Sequence, residues 1–332
     1  MTASSQIWQL VENPPREESE RVALYEAARA LYISLERPID TMHRLFWSIK
    51  WPDISVPKVS YDRMLMELTA RILPRDGSRL KAQRGLFLTS WKDKATKNPS
   101  DPNHTAFQIA HHTDKQAYSW IPPDPERITA FMAFMRAQRE GQKYFFDTFP
   151  IDRLKLSNLD HRNGRILIVD VGGATGHQCI ALRQTSGLLG KMVLQDHAIM
   201  LAKANAEELA SHKVDVQIHD FFTEQPVKNA KAYYLRNVMH DWNDESCIKI
   251  LQRLREACSD DSMILIDEMV LPDHGATRKQ TQKDVQMMAC LAAIERSRSQ
   301  WEHLLGNTGL AITKVCTYDT EMGDAVIIAM KA

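Results

Sequence analysis

Three things are scarce in this 332-residue chain, and each narrows what it can be. The first is net charge: 42 Lys and Arg balance 42 Asp and Glu. A nucleic-acid binder normally carries a basic surplus, so the balance argues against a nucleic-acid partner. The second is cysteine. Only five are present (Cys179, Cys247, Cys258, Cys290 and Cys316), scattered without a CxxC pair or a metal-ligand spacing. Such thiols read as reduced and mostly buried, as in a cytoplasmic protein. The third is any long apolar run. None reaches the roughly 18 residues that span a bilayer, and "MTASSQIWQLVENPPREESE" lacks the basic start and apolar core of a secretion signal. No membrane partner is expected, and the expected location is cytoplasmic.

What is present is ordinary globular composition, 44% hydrophobic and 25% charged, in a length that suggests two domains. The periodicity changes near residue 160. Before it, "RVALYEAARALYISLE" (21–36), "YDRMLMELTARIL" (61–73) and "PERITAFMAFMRAQREGQKYFF" (125–146) repeat apolar residues at spacings of three and four, which predicts helices. Polar "SWKDKATKNPSDPNH" (90–104) predicts a loop.

After it, β-rich runs at 165–171, 191–196, 213–220, 230–238 and 262–270 alternate with helical candidates at 176–186, 197–210 and 244–258. Near-continuous apolar strands separated by helices predict a parallel sheet covered on both faces. The last two runs, "LAITKVCTYD" and "DAVIIAM", are joined only by "TEMG", which predicts a closing antiparallel hairpin.

In an open sheet of this kind ligands bind at the carboxyl ends of the strands. The first such end is "LIVDVGGATG", where Asp170 precedes Gly172, Gly173, Ala174 and Gly176. Glycines let backbone approach a ligand and adopt positive φ. Alone, the turn is shared by nicotinamide, flavin and S-adenosylmethionine enzymes. Its acid stands before the glycines, where it can bind an ammonium rather than a phosphate. Asp196 ends the second run and can accept both hydroxyls of a ribose. Asp220, beside Phe221 and Phe222, can bind an adenine amine while an aromatic covers the ring.

These blocks, with "HDFFTEQPV", "AYYLRNVMHDWNDESCIKIL", "ILIDEMVLPD" and "ERSRSQWEHLLGNTGL", resemble the class I S-adenosylmethionine-dependent O-methyltransferases of the caffeate/isoflavone type and their fungal relatives, over about residues 104–332. The resemblance implies an α/β fold: a Rossmann-like, seven-stranded, mostly parallel sheet with an antiparallel last strand, spanning 156–332. It also implies an N-terminal, mainly helical, reduced winged-helix-like domain over 1–155 that dimerises the chain and walls the acceptor pocket. Residues 50–103 are short and polar for that module. By the same resemblance Asp170, Gly172 and Gly173 contact the methionine side of S-adenosylmethionine, and Asp196 its ribose. Asp220 and Phe221 contact the adenine, and Arg236 makes a backbone contact near the sulfonium. His240 is the general base, flanked by Glu268 and Glu295. Ala174 departs from the family, which usually has another glycine there.

The chemistry suits these residues. Methyl transfer requires mainly alignment of nucleophile, methyl and leaving sulfur, and a histidine titrating near neutral pH can take the proton of a phenol or enol. No metal is expected: His104, His111 and His112 lack a completing carboxylate or thiol. The expected activity is O-methylation of a small aromatic, enolic or polyketide-type secondary metabolite by a homodimer. Two alternatives stand beside it. "SLERPIDTMHRL", "TAFQIAHHTDKQAYSW" and "DVQMMACLAAIERSRSQWE" also resemble a fungal branch containing pericyclases of this fold, for which a dehydratase or pericyclase is implied. A non-catalytic, cofactor-binding partner subunit is the other.

Overall fold

In the computed structural model, two compact units divide the chain, Met1–Asp76 with Glu126–Gly141, and Gly77–Pro125 with Gln142–Ala332. The structure describes residues 100–121, 123–125, 127–129, 131 and 143–332, with Glu17 and Glu20. The helices expected at 21–36 and 61–73, and the atypical stretch 50–103 up to residue 99, lie outside the described residues.

Among the described residues of the second unit, two short helices, α1 (Ala106–His111) and α2 (Ala117–Trp120), come first, and α3 (Asn158–Arg162) leads into the alternating part. There follow β1 (Ile168–Val171), α4 (His177–Ser186), β2 (Met192–Asp196), α5 (Ala198–Leu201), α6 (Ala206–Ser211), β3 (Val214–Ile218) and β4 (Ala232–Arg236). Then come α7 (Asp244–Ala257), β5 (Met263–Met269), α8 (Arg278–Leu291), α9 (Arg298–Gly306), β6 (Leu310–Asp319) and β7 (Asp324–Lys331). The seven strands form one sheet in the order β3-β2-β1-β4-β5-β7-β6. β1 to β5 are parallel, and β7 runs antiparallel to both β5 and β6. The hairpin read from "TEMG" is thus real, and it inserts β7 beside β5 while leaving β6 at the edge.

The apolar strands form because both faces of the sheet are covered. Every residue of β1 and β5 is buried. On one face Tyr233, Leu235, Ile264 and Ile266 pack against Ile250, Leu251 and Leu254 of α7 and Trp301, Leu304 and Leu305 of α9. On the other, Ile168, Met192, Leu194, Tyr234 and Leu265 pack against Cys179 and Leu182 of α4 and against Phe145, Phe149 and Leu154. Neighbours along β5 therefore serve opposite faces: Asp267 points to the α4 side and Glu268 to the α7 side.

Three local expectations are corrected. The helix expected over 197–210 is two short helices, the second capped by Asn205, whose side chain accepts the Glu208 N–H; a cap of this kind competes with continuing the first helix. The helix expected over 125–146 has ended by Lys143, and Phe145–Asp147 is a 3₁₀ turn whose Asp147 Oδ2 accepts the amide of the preceding Tyr144 at 2.9 Å. The third strand stops at Ile218, two residues short of Asp220. Among the described residues no helix is long and apolar enough to cross a membrane.

Candidate functional site

Two groups of polar side chains gather at the carboxyl ends of β1, β2, β4 and β5. The first surrounds the glycine turn. Gly172 adopts φ +75°, and a Cβ there would stand 2.9 Å from Val238 Cγ2 and 3.8 Å from Phe221 Cε1. At Gly173 a Cβ would lie 2.4 Å from the Asp170 carboxyl carbon. Only glycine fits either position without displacement. Both amides donate to the Gln195 carbonyl on β2, at 2.8 and 3.2 Å.

Asp170 is buried, and its carboxylate accepts a weak hydrogen bond from Cys179 Sγ at 3.4 Å. Burial pushes its carboxyl from 3.8 up to about 7. Asp196, at the end of β2, is also raised by burial, against the two backbone amides it accepts: Ala174 N on Oδ2 at 2.8 Å and His197 N on Oδ1 at 2.7 Å. Each carboxylate oxygen keeps a second lone pair. Asp220 spends Oδ1 on the Phe222 amide at 3.0 Å. Phe221 meets Phe222 and Trp242 edge-on, with centroids 5.0 and 5.9 Å away.

Arg236 turns its side chain toward the α4 side. Its Nε lies 3.5 Å from Asp267 Oδ2, and neither Nε nor Nη1 has a hydrogen-bond partner among the described residues. Asp267 instead accepts the hydroxyls of Tyr234 at 2.5 Å and Tyr318 at 2.6 Å. Asp170, Gly172, Gly173, Asp196, Asp220, Phe221 and Arg236 are thus all placed around the ends of β1 to β4.

The second group lies on the α7 side. After β4 the chain makes a 3₁₀ turn, Met239–Asp241, that carries His240. Glu268 reaches it from β5, its Oε1 accepting the amides of Val238 at 2.9 Å and Met239 at 2.8 Å. Glu295 accepts from His240 Nδ1 at 2.9 Å, and Glu268 Oε2 stands 3.5 Å from the same nitrogen. All three side chains are buried. Burial alone would lower the imidazole, but Glu268, Glu295 and Asp241 outweigh it and raise it from 6.5 to about 9. Burial pushes Glu268 up, whereas for Glu295 the attraction of His240 overrides burial and holds it below the ordinary carboxyl value. One donor atom from each of the three lies within 4.8 Å of the others, and the ring is held through Nδ1 by Glu295 Oε1.

Two further residues complete the surroundings. Asn243 caps α7, its side chain accepting the Ser246 amide. The Asp241 carboxylate faces His240 Nε2 at 3.4 Å and accepts the Tyr118 hydroxyl at 2.7 Å. Arg296, next to Glu295, is 1% exposed and binds the turn's carbonyls. The only signal in the sequence was its place in "ERSRSQWE", which gives no hint of what it grips.

The chain is similar to known proteins in sequence and in fold. An O-methyltransferase domain family matches residues 104–311. Among curated relatives, the methyltransferase cfoC of Aspergillus candidus is 36% identical over 228 residues, 68% of this chain and 56% of its own. The demethylsterigmatocystin 6-O-methyltransferase of Aspergillus flavus is 36% identical, over 68% and 56%. This chain therefore spans less than two thirds of the length of either relative. Among solved structures, one titled a pericyclic reaction enzyme superposes with TM-score 0.67 at 23% identity, over 99% of this chain and 98% of that one. OxaC in complex with SAH and oxaline superposes with TM-score 0.65 at 20% identity, over 99% and 91%. At these identities the superpositions establish the fold. Taken with the family match over residues 104–311, they show that the chain belongs to the O-methyltransferase family.

Proposed function

We propose that the protein is an S-adenosylmethionine-dependent O-methyltransferase acting on a hydroxyl of a small aromatic, enolic or polyketide-type secondary metabolite. The observation that carries it is the buried His240–Glu295 hydrogen bond at 2.9 Å, held at the end of the sheet beside the glycine turn. The relatives support the chemical class: their names specify methyl transfer, in one case to demethylsterigmatocystin.

The first group of residues fits the cofactor. Asp170 is a buried carboxylate whose own partner is a thiol, which suits an ammonium. Packing against Val238 and Asp170 requires glycine at 172 and 173, and a turn without side chains suits close approach of a ligand. Asp196 offers free lone pairs on two oxygens to a pair of hydroxyls. Asp220 and the ring of Phe221 would hold the adenine, and the Arg236 backbone the methionine end. When bound, the cofactor supplies a methyl group activated by a sulfonium.

The chain supplies the rest. Glu295 holds the Nδ1 proton, so Nε2 is the nitrogen that receives the acceptor's proton. The cation so formed is stabilised by Glu295 and Glu268. Fixing the ring in this way aligns the nucleophile without further reorganisation. A homodimer is part of the proposal, as is a cytoplasmic setting.

A second reading draws on a specific feature. Both ring nitrogens of His240 face carboxylates, Glu295 on one side and Asp241 on the other, which favours the imidazolium. An imidazolium is an acid, and protonating a leaving hydroxyl would begin a dehydration of the kind a pericyclase or dehydratase uses. Mass spectrometry of a candidate metabolite before and after exposure to the pure protein and cofactor separates the two. Methyl transfer adds one CH₂ and releases S-adenosylhomocysteine in equal amount. Loss of water, or rearrangement with the cofactor unconsumed, would replace the first reading with the second.

A further inference from the structure

The turn that carries His240 is gripped from both sides of its backbone. On the donor side, Glu268 Oε1 accepts the amides of Val238 and Met239. On the acceptor side stands Arg296. Its Nη1 donates to the Met239 carbonyl at 3.0 Å and its Nη2 to the Trp242 carbonyl at 2.9 Å, so the two bonds bracket His240. The guanidinium is itself anchored: Nε and Nη2 donate to Asp244 Oδ1 in the first turn of α7, at 3.0 and 2.7 Å, and its carbon lies 5.3 Å from the Trp301 ring centroid. The adjoining residue, Glu295, holds the imidazole. Backbone and ring of one histidine are therefore fixed by two consecutive residues.

We infer that Arg296 is a positioning residue, which holds the Met239–Trp242 backbone so that His240 presents Nδ1 to Glu295 and leaves Nε2 for the acceptor. The role rests on His240 as the working base. The planar fork of arginine suits it, because two carbonyls three residues apart are reached by two parallel N–H groups. Burial of the guanidinium is offset by these bonds and by Asp244. Lysine has three donors on one flexible nitrogen but lacks the rigid fork, so it fixes the two carbonyls less firmly.

The consequence is readable without any acceptor. If Arg296 relaxes its grip, the ring drifts from Glu295 and the imidazole loses the carboxylate that favours its charged form. The groups facing His240 are Glu268 from β5, Glu295 from the loop after α8, and Asp241 on its own turn. Tyr118 and Lys283 act on it through Asp241, and Lys283 and Arg296 through Glu295. Of these, Arg296→Met leaves all but the last in place.

The test is an NMR pH titration of the His240 imidazole in the full-length protein, its signal assigned by its loss in His240→Gln. Arg296→Met, Arg296→Lys and Asp244→Ala are compared with the parent, with thermal midpoints measured alongside. The expected result is a fall of the His240 midpoint by one pH unit or more in Arg296→Met, with smaller falls in Arg296→Lys and Asp244→Ala. A folded Arg296→Met that melts earlier but titrates His240 as the parent does would overturn the inference, leaving Arg296 a packing residue only. Should Arg296→Met not fold, Asp244→Ala decides, because it removes the anchor and keeps the buried guanidinium; an unchanged His240 midpoint there overturns the inference equally. Because this readout needs no methyl transfer, its failure is distinct from failure of the transferase reading.

Discussion

His240 and Glu295, 55 residues apart in the chain, are joined by a 2.9 Å hydrogen bond between Nδ1 and Oε1 that neither shares with solvent. In its proposed role His240 acts as the neutral imidazole, so the rate of methyl transfer should rise with pH until about 9 and level off above it. Replacing Glu295 with Gln keeps a hydrogen-bond partner and removes the charge. The inflection should then move to lower pH and the plateau should fall, since a weaker base transfers the proton less readily. His240→Gln should lower kcat by about 10²–10⁴-fold. Initial rates of S-adenosylhomocysteine release across pH check all three, and an inflection unmoved in Glu295→Gln would remove the carboxylate from the mechanism.

The same raised imidazole is a statement about stability. Its folded value, about 9, lies above the ordinary 6.5, so its contribution is fully present below 6.5 and is lost as pH rises through 9. The contribution is at most about 3 kcal/mol. The stability gap between the parent and His240→Gln, from denaturant midpoints, should therefore narrow between pH 6 and about 9.5. A gap independent of pH contradicts the linkage.

Asp170 works in the opposite direction. Its folded value of about 7 lies above the ordinary 3.8, so the buried carboxylate costs nothing below 3.8 and its full penalty above 7. Asp170→Asn should stabilise the cofactor-free protein at pH 8, by an amount bounded at about 4 kcal/mol, and should do so little at pH 4. It should also weaken S-adenosylhomocysteine binding at least tenfold, measured by calorimetry. A variant that binds as tightly as the parent would dissociate Asp170 from the cofactor.

Ala174 is not a glycine, yet its φ is +51°, in the left-handed region. Its amide donates to Asp196 at 2.8 Å, so the turn is held there with strain. Ala174→Gly should relieve about 1 kcal/mol of that strain while loosening the unfolded chain by a similar amount. A change in stability within about 1 kcal/mol and an unchanged cofactor affinity are expected; a loss of affinity would show that the strained turn itself shapes the site.

The strand–helix alternation was legible because β1, β2, β4 and β5 are buried on both faces and read as near-continuous apolar runs. The aspartates proposed for the cofactor were legible by place: Asp196 ends β2, while Asp170 lies one residue before the end of β1 and Asp220 two residues beyond β3. The helix over 197–210 was not, because one asparagine side chain capping the Glu208 amide restarts it. Tyr118 and Arg296 were not either. Their roles depend on chain segments that meet only after folding: Tyr118 is 123 residues from Asp241, and Arg296 is 52 from Asp244. Neither spacing leaves a periodic or motif signal.

Asp267 and Glu268 are consecutive on β5, yet one serves the tyrosine-bound network beside Arg236 and the other the histidine turn. Their division of labour depends on the pleat alone, so a slip of one residue in the pairing of β5 would exchange them, placing each carboxylate among the other's partners. The six-pair antiparallel register from Ile264↔Ala329 to Met269↔Asp324 forbids that slip. The C-terminal hairpin thereby acts as the ruler against which both carboxylates are set.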